Sequence, residues 1–424
     1  MTSSPLALHG GTPAVLMPEP HFTWPPITDA TRKAVTDQLD RTVSIYNRSG
    51  VVAELEDALA AYFGVRHALL TSSGTAALYS MYAAAGIGPG MEVIVPAYTF
   101  FATVTPLLHL GATPVLAECD ERGNLDPADI AARITHRTRA IAVTHMWGTP
   151  AQIAQIRELA DKHGLKLFED GSHAHGATVS GRKVGSFGDA AAFSMNGPKP
   201  LSAGEGGFLL TDDSDLYHRA LLHGQYNKRC RDEIPASYPL HRYAITGMGL
   251  KHRIHPLAAA VGLDQLGNLD TYLAGRDRTA AYLCERLREI PGVEPIVPAE
   301  GDHSSWYGLI LRYRSEQIGG FPLDRYFAAL QAEGASEADR PGSTCPLNLL
   351  PLFQEPGPLF PSLSRRFAYA PGQFPRAEAF HDSIIKLPVW HREDDQETAN
   401  AYVEAFRKVS AHHTDLITTG VQHG

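Results

Sequence analysis

Along residues 50–215, short all-apolar runs alternate with longer amphipathic stretches. The short runs predict strands at His67–Leu70, Glu92–Val95, Thr113–Glu118, Ala140–His145, Leu165–Phe168, Ala190–Ser194 and Gly207–Thr211. The stretches between them predict helices at Thr75–Ala85, ended by Gly86, at Phe100–Leu110, and at Gln152–His163, stopped by Gly164. Strands alternating with helices of this length imply an α/β fold whose mostly parallel sheet is covered by helices on both faces. A long helical stretch near His255–Leu273 leads to a second lobe. The expected division is a large domain of residues 1–270 and a smaller C-terminal α+β domain of residues 271–424. The proline-rich segment Arg340–Pro361 predicts an ordered, extended loop wrapping a surface. The polar tail after Ser410 predicts a frayed end.

Composition changes this picture little. At 424 residues the chain exceeds one ordinary domain, and 44% apolar with 20% charged residues is ordinary for a globular protein. A net charge of −9 speaks against nucleic acid as a partner. No apolar run reaches the length of about 18 residues that a membrane span needs. The opening MTSSPLALHGG lacks the basic and apolar regions of a secretory signal. Cys119, Cys230, Cys284 and Cys345 are scattered, without a C-x-x-C pair, which fits free thiols in a reducing, cytoplasmic setting. His173 and His175 invite a metal reading, but no zinc-type ligand spacing supports one, so no metal is expected.

Four segments carry candidate chemistry, and each has a plainer alternative. Thr71-Ser-Ser-Gly-Thr-Ala-Ala-Leu78 puts small and hydroxyl residues at the start of a helix. Ser73, Gly74 and Thr75 there suit a phosphate on free amides, or equally a simple capped turn. In Leu167-Phe-Glu-Asp-Gly-Ser-His173, an apolar strand ends in two acids, where ligands of open α/β sheets bind. Asp170 suits a buried cation such as a protonated pyridine nitrogen, or is a strand-end acid at the surface. Lys199 lies in the Gly/Pro-rich loop Asn196-Gly-Pro-Lys-Pro-Leu-Ser-Ala-Gly-Glu-Gly-Gly207. It is either a solvated loop lysine or a desolvated amine able to form an imine, and the nearby glycines favour a fixed loop. Arg253, in Lys251-His-Arg253 before an Ala-rich helix, is a phosphate-reaching arginine or a solvated helix entrance.

Together, and in this order, these segments resemble the DegT/DnrJ/EryC1/StrS family of sugar and cyclitol aminotransferases, enzymes of the pyridoxal-phosphate (PLP) fold-type I class. The likeness runs from PPITDATRKAV and ELEDALAAYFGVRHALLTSSGTAAL through VPAYTFFAT, HMWGTPAQI, EDGSHAHGA and FSMNGPKPLSAGEGGF to IIKLPVW. It implies PLP as cofactor. Lys199 matches the lysine that carries PLP as a Schiff base, and Asp170 the acid paired with the pyridine nitrogen. His173 matches a residue contacting the cofactor near its ring oxygen, and Phe100 the aromatic that stacks on its ring. Ser73, Gly74, Thr75 and Ser194 match phosphate ligands, and Arg253 a phosphate contact lent by a neighbouring subunit. The family often reads Asn-Tyr-Arg where this chain has Lys251-His-Arg253.

The resemblance further implies a homodimer with shared active sites. It implies transfer of an amino group from glutamate or glutamine to a keto sugar or keto cyclitol, in antibiotic or surface-sugar biosynthesis. Two rivals stand beside it: a PLP-dependent cyclase or dehydratase, and a non-catalytic PLP-binding regulator. The dehydratases that resemble this family carry histidine in place of the lysine, so Lys199 speaks against them. The regulators carry a DNA-binding extension, which this sequence does not display.

Overall fold

The protein is described by a computed structural model covering residues 5–414. Its strands are β1 His67–Thr71, β2 Glu92–Pro96, β3 Tyr98–Phe100, β4 Thr113–Ala117, β5 Thr138–Thr144, β6 Lys166–Asp170, β7 Thr178–Val179, β8 Arg182–Lys183, β9 Ala190–Ser194, β10 Gly207–Thr211, β11 Val293–Pro295, β12 Leu309–Tyr313, β13 Thr344–Pro346 and β14 Ile384–Leu387. Seven form one sheet in the order β1-β10-β9-β6-β5-β2-β4. β4, β2, β5, β6 and β9 pair in parallel, while β10 runs antiparallel to both β9 and β1.

Strand alternation sends successive side chains to opposite faces. Leu69, Val93, Val95, Ala140, Ala142, Phe168, Ala192 and Leu209 enter one apolar cluster. Their neighbours Ala68, Leu70, Ala191, Phe193, Phe208 and Leu210 enter a second cluster, and Ile94, Ile141, Val143 and Leu167 a third. Both faces are therefore dry, which is why these strands read as continuous apolar runs.

A separate three-stranded antiparallel sheet, β11-β12-β14, has its own core with Leu283, Leu287, Leu309, Leu311, Tyr326, Ile385 and Phe406. The helix Pro256–Leu287 serves both bodies: Ala259, Ala260, Leu266 and Leu269 lie in a core of the large sheet, and Ala280, Leu283 and Leu287 in that of the small one. It runs unbroken well beyond the expected end at Leu273, so the expected division at residue 270 falls inside it.

Two expectations need correction. Phe100–Leu110 is not one helix. Tyr98–Phe100 is drawn into a ribbon with β13, pairing Phe100 with Thr344, and a 3-10 turn at Phe101–Thr103 precedes a short helix Thr105–His109. Long-range pairing overrides the local pattern there. Arg340–Pro361 is not simply extended, since it contains β13, a 3-10 turn at Leu347–Leu349 and the helix Pro351–Gln354, opened by Pro351 at its first turn. The C-terminal helix continues to Ala411, and the remainder of the tail expected to fray, from residue 415, lies outside the described residues.

Candidate active site

The strand register brings the candidate residues to one edge. Thr144 pairs with Asp170 across β5–β6, and Asp170 with Ala192 across β6–β9, so the C-terminal ends of these strands lie side by side. Ser194 ends β9 beside Gly207, which opens β10, and the loop between them carries Lys199. A cavity of about 380 Å³ opens at this edge, lined by Ser73, Gly74, Thr75, Phe100, Asp170, His173, Ser194 and Lys199. Eight of the nine residues singled out from sequence thus share one cavity, where doubly wound sheets place ligands.

One wall is main chain. The helix Gly74–Ala84 starts at the cavity with Ser73 as its cap, the Ser73 hydroxyl accepting from the Ala76 amide at 3.1 Å. The Gly74 and Thr75 amides have no acceptor within the helix, as at any helix start. This end sits tightly on the sheet: a Cβ on Gly74 would lie 2.5 Å from Ser194 Cβ, and one on Gly207 would lie 2.5 Å from the Ser73 carbonyl. Glycine is needed at both positions for close approach. Free amides, the positive helix end and the hydroxyls of Ser73, Thr75 and Ser194 suit a phosphate. Asn196 and Glu205, which the sequence reading did not single out, also line the cavity and are joined through Asn196 Nδ2 and Glu205 Oε1 at 2.8 Å.

The floor is Asp170. Its Oδ2 accepts from Thr103 Oγ1 at 2.7 Å and its Oδ1 from the Ser172 amide at 3.1 Å. Thr103 belongs to a buried hydroxyl cluster with Thr99 and Thr144, at 3.0–3.2 Å. Asp170 is 5% exposed and makes no ion pair with any described residue. A buried carboxyl without a cation is costly, and a ligand N–H⁺ would satisfy it. The adjacent Glu169 points elsewhere: its carboxylate takes the amides of Gly185, Phe187 and Gly188 at 2.6–2.8 Å and so ties down a loop.

Lys199 is buried, and burial pushes its amine down to about 8, with Asp170 acting in the opposite direction and Lys386 adding to the fall. Its backbone carbonyl accepts from Trp24 Nε1 at 2.8 Å, which ties the loop to the N-terminal segment. Its ammonium lies 4.7 Å from the ring centre of Tyr307. Tyr307 stacks on His173 with centroids 4.2 Å apart, and Trp147 stacks on both rings. Burial first, then Lys199 and Lys386, hold His173 well below its ordinary range, so its imidazole is neutral. Nδ1 accepts a long bond from the Trp147 amide at 3.4 Å, which leaves the proton on Nε2. The stack is held by strained backbone, since Trp147 and Trp306 both adopt positive φ, 58° and 51°. His175 faces away and packs among Phe193 and Phe208, where burial pushes it down to about 3.

Arg253 stands apart. It lies outside the cavity, its guanidinium 5.3 Å from the Tyr46 ring and 6.0 Å from that of Tyr226. Sequence reading also missed Tyr307, Ser343 and Thr344 on the wall toward the small sheet. The only sequence signal for Tyr307 was an aromatic pair followed by glycine just before a strand, Trp306-Tyr-Gly308.

Residues 26–406 match the DegT/DnrJ/EryC1/StrS aminotransferase family. The chain is 35% identical to the L-glutamine:scyllo-inosose aminotransferase of Streptomyces griseus, over 91% of this chain and 93% of that one. It is 33% identical to the spore coat polysaccharide biosynthesis protein SpsC of Bacillus subtilis, over 84% and 89%. Among solved structures, S. venezuelae DesV in complex with a ketimine intermediate superposes with a TM-score of 0.75 at 30% identity, covering 91% of this chain and 95% of that one. With the strand order, the shared cavity and this match in hand, the chain belongs to the DegT/DnrJ/EryC1/StrS aminotransferase family and is an aminotransferase.

Proposed function

We propose that the chain is a PLP-dependent aminotransferase moving an amino group from glutamine or glutamate to a keto cyclitol or keto sugar. The observation that carries this reading is the single cavity that joins a buried, pKa-lowered lysine, an unpaired buried carboxyl and an open helix N-terminus. Those three features match the aldehyde, ring nitrogen and phosphate of PLP. When bound, PLP supplies an electron sink for breaking the donor's Cα–H bond.

The chain's own residues divide the remaining work. Asp170, fixed by Thr103 and Ser172, holds the ring nitrogen protonated. Ser73, Gly74, Thr75 and Ser194 would hold the phosphate, and Phe100 would lie against the ring. His173 Nε2–H would be the donor available to a ring oxygen. The Lys199 amine, neutral in a large fraction near pH 8, takes the proton from the donor carbon and returns it on the way to product. Over a full cycle the donor leaves as its 2-oxo acid and the acceptor carbonyl becomes an amine. The likeness to the Streptomyces griseus enzyme favours a keto cyclitol among acceptors.

Arg253 completes the cavity of a second copy in this reading. Exposed Val43, Tyr46, Tyr243, Ile245 and Met248 in the segments neighbouring Arg253 in sequence or space are the apolar surface such a homodimer would cover. No helix among the described residues is long and apolar enough to cross a membrane. With four buried free thiols, a cytoplasmic setting is the one we propose.

The test is a half-reaction. Protein loaded with PLP, mixed with L-glutamine or L-glutamate, should lose its visible absorbance band and gain a near-ultraviolet one, and Lys199→Ala should show neither change. Adding scyllo-inosose should restore the band and yield an aminocyclitol by mass spectrometry. Bound PLP that ignores both donors would put the cyclase reading in its place.

A further inference from the structure

Lys199 sits between two prolines, Pro198 and Pro200, neither of which has an amide hydrogen to fasten the loop. The Lys199 amide closes a turn on the Asn196 carbonyl at 2.9 Å. No main-chain amide among the described residues reaches the Lys199 carbonyl. That group is met instead by the indole N–H of Trp24 at 2.8 Å, from 175 residues away in the chain. The peptide of Lys199 therefore depends on a side chain that does not itself line the cavity.

Arg276, Tyr272 and His391 surround the Trp24 ring. The Arg276 guanidinium, itself buried, lies 4.0 Å from the ring centre. Tyr272 and His391 meet the ring edge to face, with centroids 5.4 and 5.3 Å away. The segment that carries Trp24 is anchored on both sides of it. Trp390 Nε1 donates to the His21 carbonyl at 2.7 Å, and Gln265 Nε2 to the Pro26 carbonyl at 2.9 Å. Further back, Glu333 takes the Ala7 and Ala14 amides at 2.7 and 3.0 Å. An indole held this firmly is a rigid donor, and the peptide it holds shares that rigidity.

We infer that Trp24 is a positioning residue for the reaction: its indole N–H holds the Lys199 peptide so that the amine reaches one point beside the donor carbon. A lysine side chain is long and flexible, so its reach is set by where its main chain stands. Misplacing a reacting group by about 1 Å costs up to about a hundredfold in rate. Trp24 lies outside the cavity lining, so it takes no share in holding either substrate. The inference rests on the aminotransferase reading.

The test compares Trp24→Phe, which keeps an aromatic ring and loses the N–H, with Trp390→Phe. The second removes the same kind of bond from the same segment, away from Lys199. In the full-length chain before PLP is added, hydrogen exchange of the 195–207 peptide should quicken about fivefold in Trp24→Phe, the scale of one neutral hydrogen bond. It should stay as in wild type in Trp390→Phe. In the half-reaction of PLP-loaded protein with L-glutamine, Trp24→Phe should lower the limiting rate by about fivefold or more. Its half-saturating glutamine concentration should stay within about threefold of wild type. Benzothienylalanine at position 24, which keeps the two-ring shape and lacks only the N–H, should reproduce both losses. A further arm uses Lys199→Ala with methylamine supplied as the base. There Trp24→Phe should have no added effect, because no tethered amine remains to be placed. Wild-type exchange or rate without the N–H, an equal loss in Trp390→Phe, or an equal loss in the Lys199→Ala background would each overturn the inference. So would a slowing that weaker glutamine binding accounts for. A wild type that takes nitrogen from neither L-glutamine nor L-glutamate would bring down the aminotransferase reading, and this inference with it.

Discussion

The two walls of the cavity are made of different material. Beside the large sheet the wall is backbone: helix-start amides, two glycines in near contact with Ser194 and Ser73, and short hydroxyls. Opposite it is side chain: His173 and Tyr307 stacked on each other and Lys199 near the Tyr307 ring, with Trp147 and Lys386 beside them outside the lining. Backbone donors have one geometry and cannot be retuned by substitution, which suits a group that is the same in every cycle. Stacked rings and long cations can be exchanged residue by residue, which suits the part of the reaction that varies between relatives. The first wall is a fixture and the second is a selector.

Substitutions on the floor and on each wall test that division. The largest effect belongs to the floor between the walls: Asp170→Asn should cut the half-reaction with L-glutamine by about 10²–10³-fold, the scale of an uncompensated buried charge, measured by stopped-flow absorbance. Gly74→Ala tests the fixture. Its new methyl meets Ser194 at 2.5 Å, so PLP affinity should fall by about 10–10²-fold in a fluorescence titration, and the fold should lose about 1–3 kcal/mol by urea unfolding. Tyr307→Ala tests the selector. It should cost about 2–3 kcal/mol of stability and roughly tenfold in kcat/KM, while PLP affinity stays within about threefold. A loss of PLP affinity in Tyr307→Ala as large as in Gly74→Ala would erase the distinction.

The smallest effect is on pH. The Lys199 amine is held to about 8, so the rate at which apoprotein captures PLP should rise with pH and level off above that value. Lys386 is one of the influences lowering Lys199, so Lys386→Met should move the midpoint upward. A downward or absent shift would mean that the two ammonium groups do not feel each other.

The fixture was legible in the sequence and the selector only through His173 and Lys199, for a physical reason. Ser73, Gly74 and Thr75 are contiguous, and Lys199 sits in a loop whose glycines mark tight backbone, so short windows contain each of them. Strand positions were equally readable, because both faces of the large sheet are dry and each strand is one apolar run. The stack, by contrast, joins Trp147, His173 and Tyr307, and the second cation comes from Lys386, with no periodicity linking them. Tyr98–Phe100 misled for the same reason, since its partner Thr344–Pro346 lies far along the chain. Arg253 was legible as a motif, yet within one chain it lies outside the cavity.

That distant ribbon also governs when the site can exist. Phe100, on one side of the cavity, is backed by a strand synthesised long after it, Thr344–Pro346. The helix start and the Lys199 loop are synthesised much earlier, and nascent chains fold from the N-terminal side. For an interval during translation the helix start proposed to hold phosphate therefore exists without the strand that backs Phe100. In the proposed reading, PLP meeting the nascent chain then would find the helix start but not the completed cavity, whose last lining residue is Thr344. A chain halted before residue 344 would be a protein with a recognisable sheet and no completed cavity.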